Sequence, residues 1–292
     1  MLRRLTMWIL LVLIYSLLKG SRDLIKKKAL QKSTAAEVLL LYSAAAFLLL
    51  LPDLPKALQA PPAYIPLAAL KALVLFAAYL CSFNAIKNLP ISLYGVVDLS
   101  RMLFSILLGV ALLHEPMGLW QITGTILVAT GILLLRGKGD KHLTGQKSRR
   151  GNLFILLAFV QSFLNACSGI LDKISVQYLT SAQLQFWFML FLLLFYMLYA
   201  FAAKVRIQWR TALKNYWIFL IALLFVFADR LLFLANADAD SSVIVMTLLK
   251  RSGCIVTILG GKLFFGEKHI GRKLLCAAVM LAGILLAVLL PA

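Results

Sequence analysis

The chain is a succession of apolar runs, each close to the ~20 residues that a helix needs to cross a lipid bilayer. Short connections that contain Pro, Gly or clustered charges separate the runs, which cover residues 5–25, 34–51, 64–86, 91–112, 117–135, 152–175, 182–203, 215–236, 242–263 and 272–290. Of all residues, 62% are hydrophobic and 14% are charged, far from the balance of a soluble domain. We therefore predict an all-α integral membrane protein with ten transmembrane helices.

The last five runs repeat the first five. A shift of 152 positions aligns residues 83–85 with 235–237 and residues 131–134 with 283–286, and a shift of 146 aligns the first run with the sixth. A repeat of five spans has odd parity, so its two copies must be inverted in the membrane. We predict repeats at 1–135 and 152–292, joined by a basic cytoplasmic connector at 136–151, which together form one integral membrane domain.

The basic residues predict an orientation. The net charge of +19 would suggest nucleic-acid binding in a soluble protein, but most Lys and Arg lie in connections that follow odd-numbered runs, whereas the opposite side carries only Arg3, Arg4 and Lys56. The positive-inside rule makes the basic side cytoplasmic. We expect a multi-pass protein of the cell (inner) membrane with both termini extracytoplasmic, membrane lipids as neighbours and no nucleic-acid partner.

Charged residues also lie inside the runs, where each costs roughly 2.5–3.5 kcal/mol to insert. The most notable are the adjacent Lys250 and Arg251, and the shift of 152 aligns Asp98 with Lys250. One interpretation is that the charges neutralise one another: Asp98 with Arg101, Lys19 with Asp23, and one of the basic pair with Asp98 or Asp229. The other is that the surplus of deep cations receives an anion in a water-filled cavity.

Two further features bear on such a cavity. The first run continues through Lys19 and Gly20, which predicts a helix loosened around Gly20 where it lines a polar space. The alternative is that the helix ends there and that Arg22 and Lys26 extend to the cytoplasmic interface. The glycines in the runs predict close approach of helices. We expect substrate contacts from Lys250, Arg251, Arg101, Asp98, Lys19, Arg230, Asp229, Tyr94 and Tyr79.

Two segments carry a resemblance to a known family. The pattern that starts at Glu115-Pro116 and continues through Gly124 and 131–135 recurs from 264 to 284. It resembles the EamA-like branch of the drug/metabolite transporter superfamily, which implies ten spans in two inverted halves. Lys250-Arg251 also resembles a basic pair of the triose-phosphate translocator branch, where it implies phosphate binding. Family members carry amino acids, sugars, nucleosides, drugs and nucleotide sugars, so the resemblance leaves the substrate open.

No enzyme motif is present: the sequence has no phosphate-binding loop, nucleophile elbow or paired catalytic acids. The cysteines and histidines lack the spacing of metal ligands, so we expect no metal, no cofactor and no enzymatic activity. We predict a secondary transporter of a small organic anion or zwitterionic metabolite that works by alternating access, as a monomer or homodimer. The alternatives are a flippase for an anionic lipid-linked group and, from another class, a membrane enzyme or structural subunit. Glu115 and Glu267 are expected to stabilise the start of the helix that follows each of them.

Overall fold

The computed structural model describes residues 2–113, 119–135, 149–175, 177–205, 207–236 and 249–289. Its helices are α1 (Leu2–Lys32), α2 (Ala35–Leu50), α3 (Leu54–Ala57), α4 (Ile65–Asn88), α5 (Ile91–Asp98), α6 (Ser100–Leu113), α7 (Leu119–Leu135), α8 (Arg149–Ser175), α9 (Ser181–Ala202), α10 (Trp209–Leu213), α11 (Tyr216–Asn236), α12 (Gly253–Phe265) and α13 (Ile270–Leu289). One further helical turn covers 249–251. The described ranges contain no β-strand, which confirms the all-α class.

Several helices are long and apolar enough to cross a membrane on their own. Within the described ranges there are four, at Ala35–Ala57, Pro62–Asn88, Gly151–Asp172 and Ser181–Ala202. Leucine and phenylalanine side chains lie exposed along the outer faces of the bundle, as a lipid-facing surface requires. α1 is not among the four, because its second half carries many charges.

Two long helices begin with the same capping arrangement. Thr34 precedes α2 and Thr180 precedes α9, and each side-chain oxygen accepts a hydrogen bond from the backbone N–H three residues later. The side chains at those later positions, Glu37 and Gln183, accept the backbone N–H of the capping threonine in return. This reciprocal capping box satisfies two N–H groups that a helix start otherwise leaves open.

The prediction of a first helix loosened at Gly20 is wrong, because α1 continues without interruption to Lys32. Gly20 instead permits a close crossing with α12. A Cβ atom at Gly20 would lie 2.6 Å from the carbonyl oxygen of Gly253, and one at Gly253 would lie 2.7 Å from that of Ser16. The glycines therefore allow the two backbones to touch, as small residues do between membrane helices.

The predicted helices at 91–112 and 242–263 each contain a local interruption, at Leu99 between α5 and α6 and at Ser252 in the part described from residue 249 onward. Both residues keep right-handed helical dihedrals, but the turns there are closed by hydrogen bonds between residues three apart. Ser16 of α1 occupies the second interruption: its hydroxyl donates to the Leu249 carbonyl at 2.7 Å and accepts the Gly253 N–H at 2.9 Å. The Ser16 side chain of α1 thus provides hydrogen-bond partners for the Leu249 carbonyl and the Gly253 N–H on either side of Ser252.

The helices pack in a few extensive pairs. α1 lies against α11 and α12, α4 lies against α8 and α9, and α6 lies against α8. α2 contacts α9 and α11, α5 packs on α12, and α7 packs on α13. The last pair is close, since a Cβ at Gly283 would meet the Gly124 carbonyl at 2.7 Å and one at Gly131 would meet Met280. The close helix approach expected at these glycines is confirmed.

Candidate functional site

A polar cavity lies where α1, α5 and α12 meet, beside the two helix interruptions. Its walls are formed by Lys19, Gly20, Asp23, Gly95, Asp98, Leu99, Lys250, Arg251, Gly253, Cys254 and Thr257. The free space between these side chains is about 10 Å³, room for about one water molecule. Four of the predicted site residues therefore converge on one place, although they come from three separate parts of the chain.

Asp98 is the acid at the centre of this cavity. Lys19 Nζ lies 3.5 Å from its Oδ2, and Gln161 Nε2 of α8 donates to its Oδ1 at 2.9 Å. The expected local pairs are wrong: Asp98 bonds across the bundle to Lys19 and not to Arg101, while Asp23 bonds to Lys26 at 2.8 Å and not to Lys19. Asp98 thus joins α5 to α1 and α8.

Lys250 and Arg251 both reach the cavity, and neither has an acid of its own. Neither forms an ion pair with any described residue, so the expectation that one of them pairs with Asp98 or Asp229 is wrong. Arg251 Nε is buried without a hydrogen-bond partner. Arg101, at the start of α6, interacts electrostatically with both residues and with Asp98, but lies behind the cavity wall.

The remaining predicted charges lie elsewhere in the bundle. Arg230 forms an ion pair with Asp53, which follows α2. Asp229 lies within electrostatic range of Arg22 and Lys71, and Lys71 forms an ion pair with Asp172. Arg230 and Asp229 are not among the residues that line the cavity.

The two predicted tyrosines also lie outside the cavity. The Tyr94 hydroxyl is buried against the Ser82 hydroxyl at 2.7 Å, where it joins α5 to α4. Tyr79 belongs to a group of aromatic residues that also contains Tyr42 and interacts electrostatically with Arg22. Tyr94 therefore has a packing role, whereas Tyr79 faces a second polar region.

Ser16 was missed from the sequence as a residue of this region, because nothing in the local sequence distinguishes it. Gln161 was expected among the polar residues that shape the pocket, and Arg22 was considered as a charge that could reach the interface. The spacing i, i+4, i+7, i+11 of Tyr15, Lys19, Arg22 and Lys26 indicates instead one polar helix face. This polar face of α1 points into the bundle and away from the exposed Leu10 and Leu17.

The comparisons with known proteins concern the family and the fold. Residues 6–137, slightly less than half of the chain, match the EamA-like transporter family. Over these residues the chain is similar to that family, whose members are membrane transporters of small molecules. The match and the apolar helices together support a multi-pass membrane transporter.

The fold of the chain also has a counterpart among solved structures. One solved structure, whose title reads only "Crystal structure of protein", is similar over 97% of this chain and 94% of that chain, with a TM-score of 0.57 and 15% sequence identity. At this identity the likeness concerns the fold alone. No curated protein matches the sequence significantly.

A second polar cluster holds α5 in place. Glu267, in the connection between α12 and α13, accepts the Ile91 N–H at 2.5 Å, the Ser92 N–H at 3.1 Å and the Ser92 hydroxyl. Burial opposes ionisation of Glu267, but the hydrogen bonds from Ser92 and the charges of Lys27 and Lys273 hold its pKa below the usual value. The predicted helix-capping role is thus correct in kind, but the helix is α5 and not the following α13. Glu115 lies outside the described residues.

No metal site is apparent in the described part of the chain, where no three His, Cys, Asp or Glu side chains cluster. The charged groups that line the cavity are the ammonium groups of Lys19 and Lys250, the guanidinium of Arg251 and the carboxylates of Asp23 and Asp98. Guanidinium groups bind carboxylates and phosphates through paired N–H donors, and ammonium groups act as point charges.

Proposed function

We propose that the protein is a secondary transporter of a small organic anion or zwitterionic metabolite, and that Lys250 and Arg251 are its leading substrate contacts. The observation that carries the proposal is the cavity that Lys250 and Arg251 line together with Lys19 and Asp98, while Arg101 lies within electrostatic range of both members of the basic pair. Asp98 is already engaged by Lys19 and Gln161. The cavity therefore carries positive charge that no described acid neutralises.

Most other buried cations of the bundle are paired with a carboxylate, in contrast to Lys250 and Arg251. Lys71, Arg230, Lys26 and Lys19 each have a carboxylate partner, namely Asp172, Asp53, Asp23 and Asp98. Unpaired cations at membrane depth are costly, and such residues mark substrate or ion paths. Local pairing thus accounts for these four cations, whereas Arg22, Arg101, Lys250 and Arg251 form no ion pair with a described residue. Of these, Lys250 and Arg251 line the cavity and are available to an anion.

An anion in this cavity would compete directly with Asp98. The Lys19–Asp98 contact joins α1 to α5 at 3.5 Å, with both side chains about one-fifth exposed. Ligand pockets commonly enclose ~300–1,000 Å³, so the narrow cavity must widen by separation of these helices. We propose that arrival of the anion weakens the Lys19–Asp98 contact and that movement of the interrupted helices then exposes the cavity to one side of the membrane at a time.

We also propose that the ten spans form two inverted repeats related by a pseudo-two-fold axis. The support comes from helix contacts that recur when the halves are exchanged: α1 with α11 corresponds to α8 with α4, and α1 with α12 corresponds to α8 with α6. The interruptions at Leu99 and Ser252 lie within one residue of equivalence under the shift of 152, and the capping boxes at Thr34 and Thr180 are related by the shift of 146. In such folds the substrate binds between repeats, near the bilayer midplane.

The function can be tested by ligand screening followed by flux. Purified protein is screened by thermal shift against phosphorylated sugars, nucleotides, dicarboxylates and amino acids, and the best ligand is assayed for flux into proteoliposomes. We expect flux to be lost in a Lys250→Ala, Arg251→Ala double variant. The control is Lys32→Ala with Lys87→Ala, which removes the same charge from exposed positions and should leave flux intact.

Two outcomes would contradict the proposal. Flux that survives the double substitution at 250 and 251 would refute the site. Binding of lipid-linked phosphates alone, without flux of a soluble anion, would favour the flippase.

The proposed orientation needs a separate test. Cysteines introduced at Gln59 and Lys204, both exposed at connections, are reacted with a membrane-impermeant maleimide in intact cells. We expect labelling at 59 without lysis and at 204 only after lysis. The reverse pattern would invert the proposed topology.

A further inference from the structure

Arg22 is a buried cation whose hydrogen bonds are not made. It lies on the polar face of α1, one turn beyond Lys19 towards the basic end of the helix. Its guanidinium carbon lies 5.2 Å from the centre of the Phe225 ring on α11. Two of its nitrogens, Nε and Nη1, are buried without a hydrogen-bond partner in the described part of the protein. A buried donor without a hydrogen-bond partner costs ~1–3 kcal/mol, and more when it is charged.

The acids around Arg22 do not supply the missing acceptors. Asp23 is adjacent in sequence but bonds to Lys26 at 2.8 Å. Asp229 lies within electrostatic range, yet the structure records no hydrogen bond or ion pair between it and Arg22 among the described residues. The charge of Arg22 is therefore partly balanced, whereas its directional N–H donors still need an oxygen.

A cluster of aromatic side chains surrounds Arg22. Tyr42 of α2 packs edge-on against Phe225 at 5.7 Å between ring centroids, and Tyr79 of α4 interacts with both Arg22 and Tyr42. The hydroxyl of Tyr196 on α9, which interacts with both tyrosines, is buried without a partner. Flat rings and phenol hydroxyls suit a small planar group that needs several hydrogen-bond donors.

This aromatic cluster lies next to the cavity at Lys250 and Arg251. Tyr15, on the same face of α1, lies within electrostatic range of Arg22 on one side and of Arg101 and Arg251 on the other. Lys19, which lies between Tyr15 and Arg22 along the helix, lines the cavity itself. One ligand only a few bonds long can thus approach both regions.

We infer that Arg22, with the Tyr42 and Tyr79 hydroxyls, forms a second oxyanion subsite, and that the transported anion carries two anionic groups. One group binds Lys250 and Arg251. The other, best matched by a carboxylate because a guanidinium fork binds its two oxygens together, binds Arg22. This inference rests on the proposed function and deepens it, since it defines the substrate class as a dianion.

The experiment compares ligands that differ by one anionic group. Binding of succinate against butyrate, and of phosphonoacetate against ethylphosphonate, is measured by titration calorimetry or thermal shift on the purified full-length protein. Within each pair the chain length is the same and only the second anionic group is lost. A charge-assisted hydrogen bond corresponds to about ten- to a hundredfold in affinity, so we expect the wild type to prefer the two-anion member by that factor in at least one pair.

The variants are Arg22→Gln and Arg22→Lys. Arg22→Gln should abolish the preference while it keeps the affinity for the one-anion member, and that retained binding shows that the variant is folded. Arg22→Lys keeps the charge but not the fork, and should restore part of the preference.

Equal affinity for both members of each pair in the wild type, or an unchanged preference in Arg22→Gln, would overturn the subsite and leave the proposed function intact. If Arg22→Gln binds neither member while Arg22→Lys matches the wild type, Arg22 acts through its charge alone and the fork is refuted. Binding of none of the four ligands to the wild type would overturn the proposed anion site itself.

Discussion

Gly253→Ala offers a test of the close crossing between α1 and α12. The new Cβ would lie 2.7 Å from the Ser16 carbonyl oxygen, and ordinary contact begins at 3.4 Å, so the helices must separate by the difference, about 0.7 Å. The same movement would lengthen the 2.9 Å hydrogen bond from the Gly253 N–H to Ser16 Oγ to about 3.6 Å, beyond hydrogen-bond range.

The expected change in the free energy of unfolding follows from these two effects and from helix propensity. Overpacking costs ~1–3 kcal/mol and loss of the hydrogen bond ~1 kcal/mol, whereas alanine gains ~1 kcal/mol of helix propensity over glycine. The net result should be a destabilisation of about 1–3 kcal/mol, with slower transport because the crossing lies beside Arg251. Gly169→Ala is the matched control, since a Cβ there would meet nothing within 4 Å.

Thermal denaturation in detergent and flux in proteoliposomes measure both effects on the two variants. Gly169→Ala should be at least as stable as the wild type and Gly253→Ala clearly less stable. If the two variants melted together and transported equally, the reasoning from the helix crossing would be refuted.

Three further predictions concern other contacts. Asp98→Asn removes the acid that competes with the ligand, so anion binding should tighten by about tenfold while turnover slows; weaker binding in calorimetry would contradict this. Because the folded-state pKa of Glu267 is lowered, its stabilisation should be complete above its unfolded value of about 4.3 and be lost as pH falls through the folded value, and Glu267→Gln should melt lower at neutral pH with a flatter pH profile. Thr180→Val removes the cap of α9 and should cost ~1 kcal/mol, whereas Thr180→Ser should restore the wild-type melting temperature.

The membrane class and the gathering of charges could be predicted because both follow from one-dimensional patterns. Apolar runs of spanning length leave few alternatives in fold class, and the internal shift of 152 positions aligned Asp98 with Lys250 before either side chain was located. Partner choice could not be predicted in the same way. Spacing of three or four residues places Asp98 and Arg101 on one helix face, but the carboxylate bonds to Lys19, which comes from a helix that sequence spacing does not position.

The helix interruptions were equally hidden. No proline or glycine adjoins Leu99, and Gly253 alone adjoins Ser252. The Leu249 carbonyl before Ser252 accepts a hydrogen bond from Ser16, more than two hundred residues earlier in the chain. Glu267 shows the same limit, since local sequence predicted a helix cap but tertiary packing selected the helix. What escaped prediction was therefore the set of contacts between residues far apart in sequence.

The charged face of α1 has a consequence for how the protein enters the membrane. α1 is synthesised before its partners, because Asp98 follows Lys19 by about eighty residues and Phe225 follows Arg22 by about two hundred. Proteins are synthesised at ~5–20 residues per second, so α1 spends several seconds without these contacts. Its charged half should therefore stay near the lipid headgroups until α5 and α11 have been inserted, and its final depth is set late in assembly. Truncation after the first repeat should therefore leave Arg22 accessible to water.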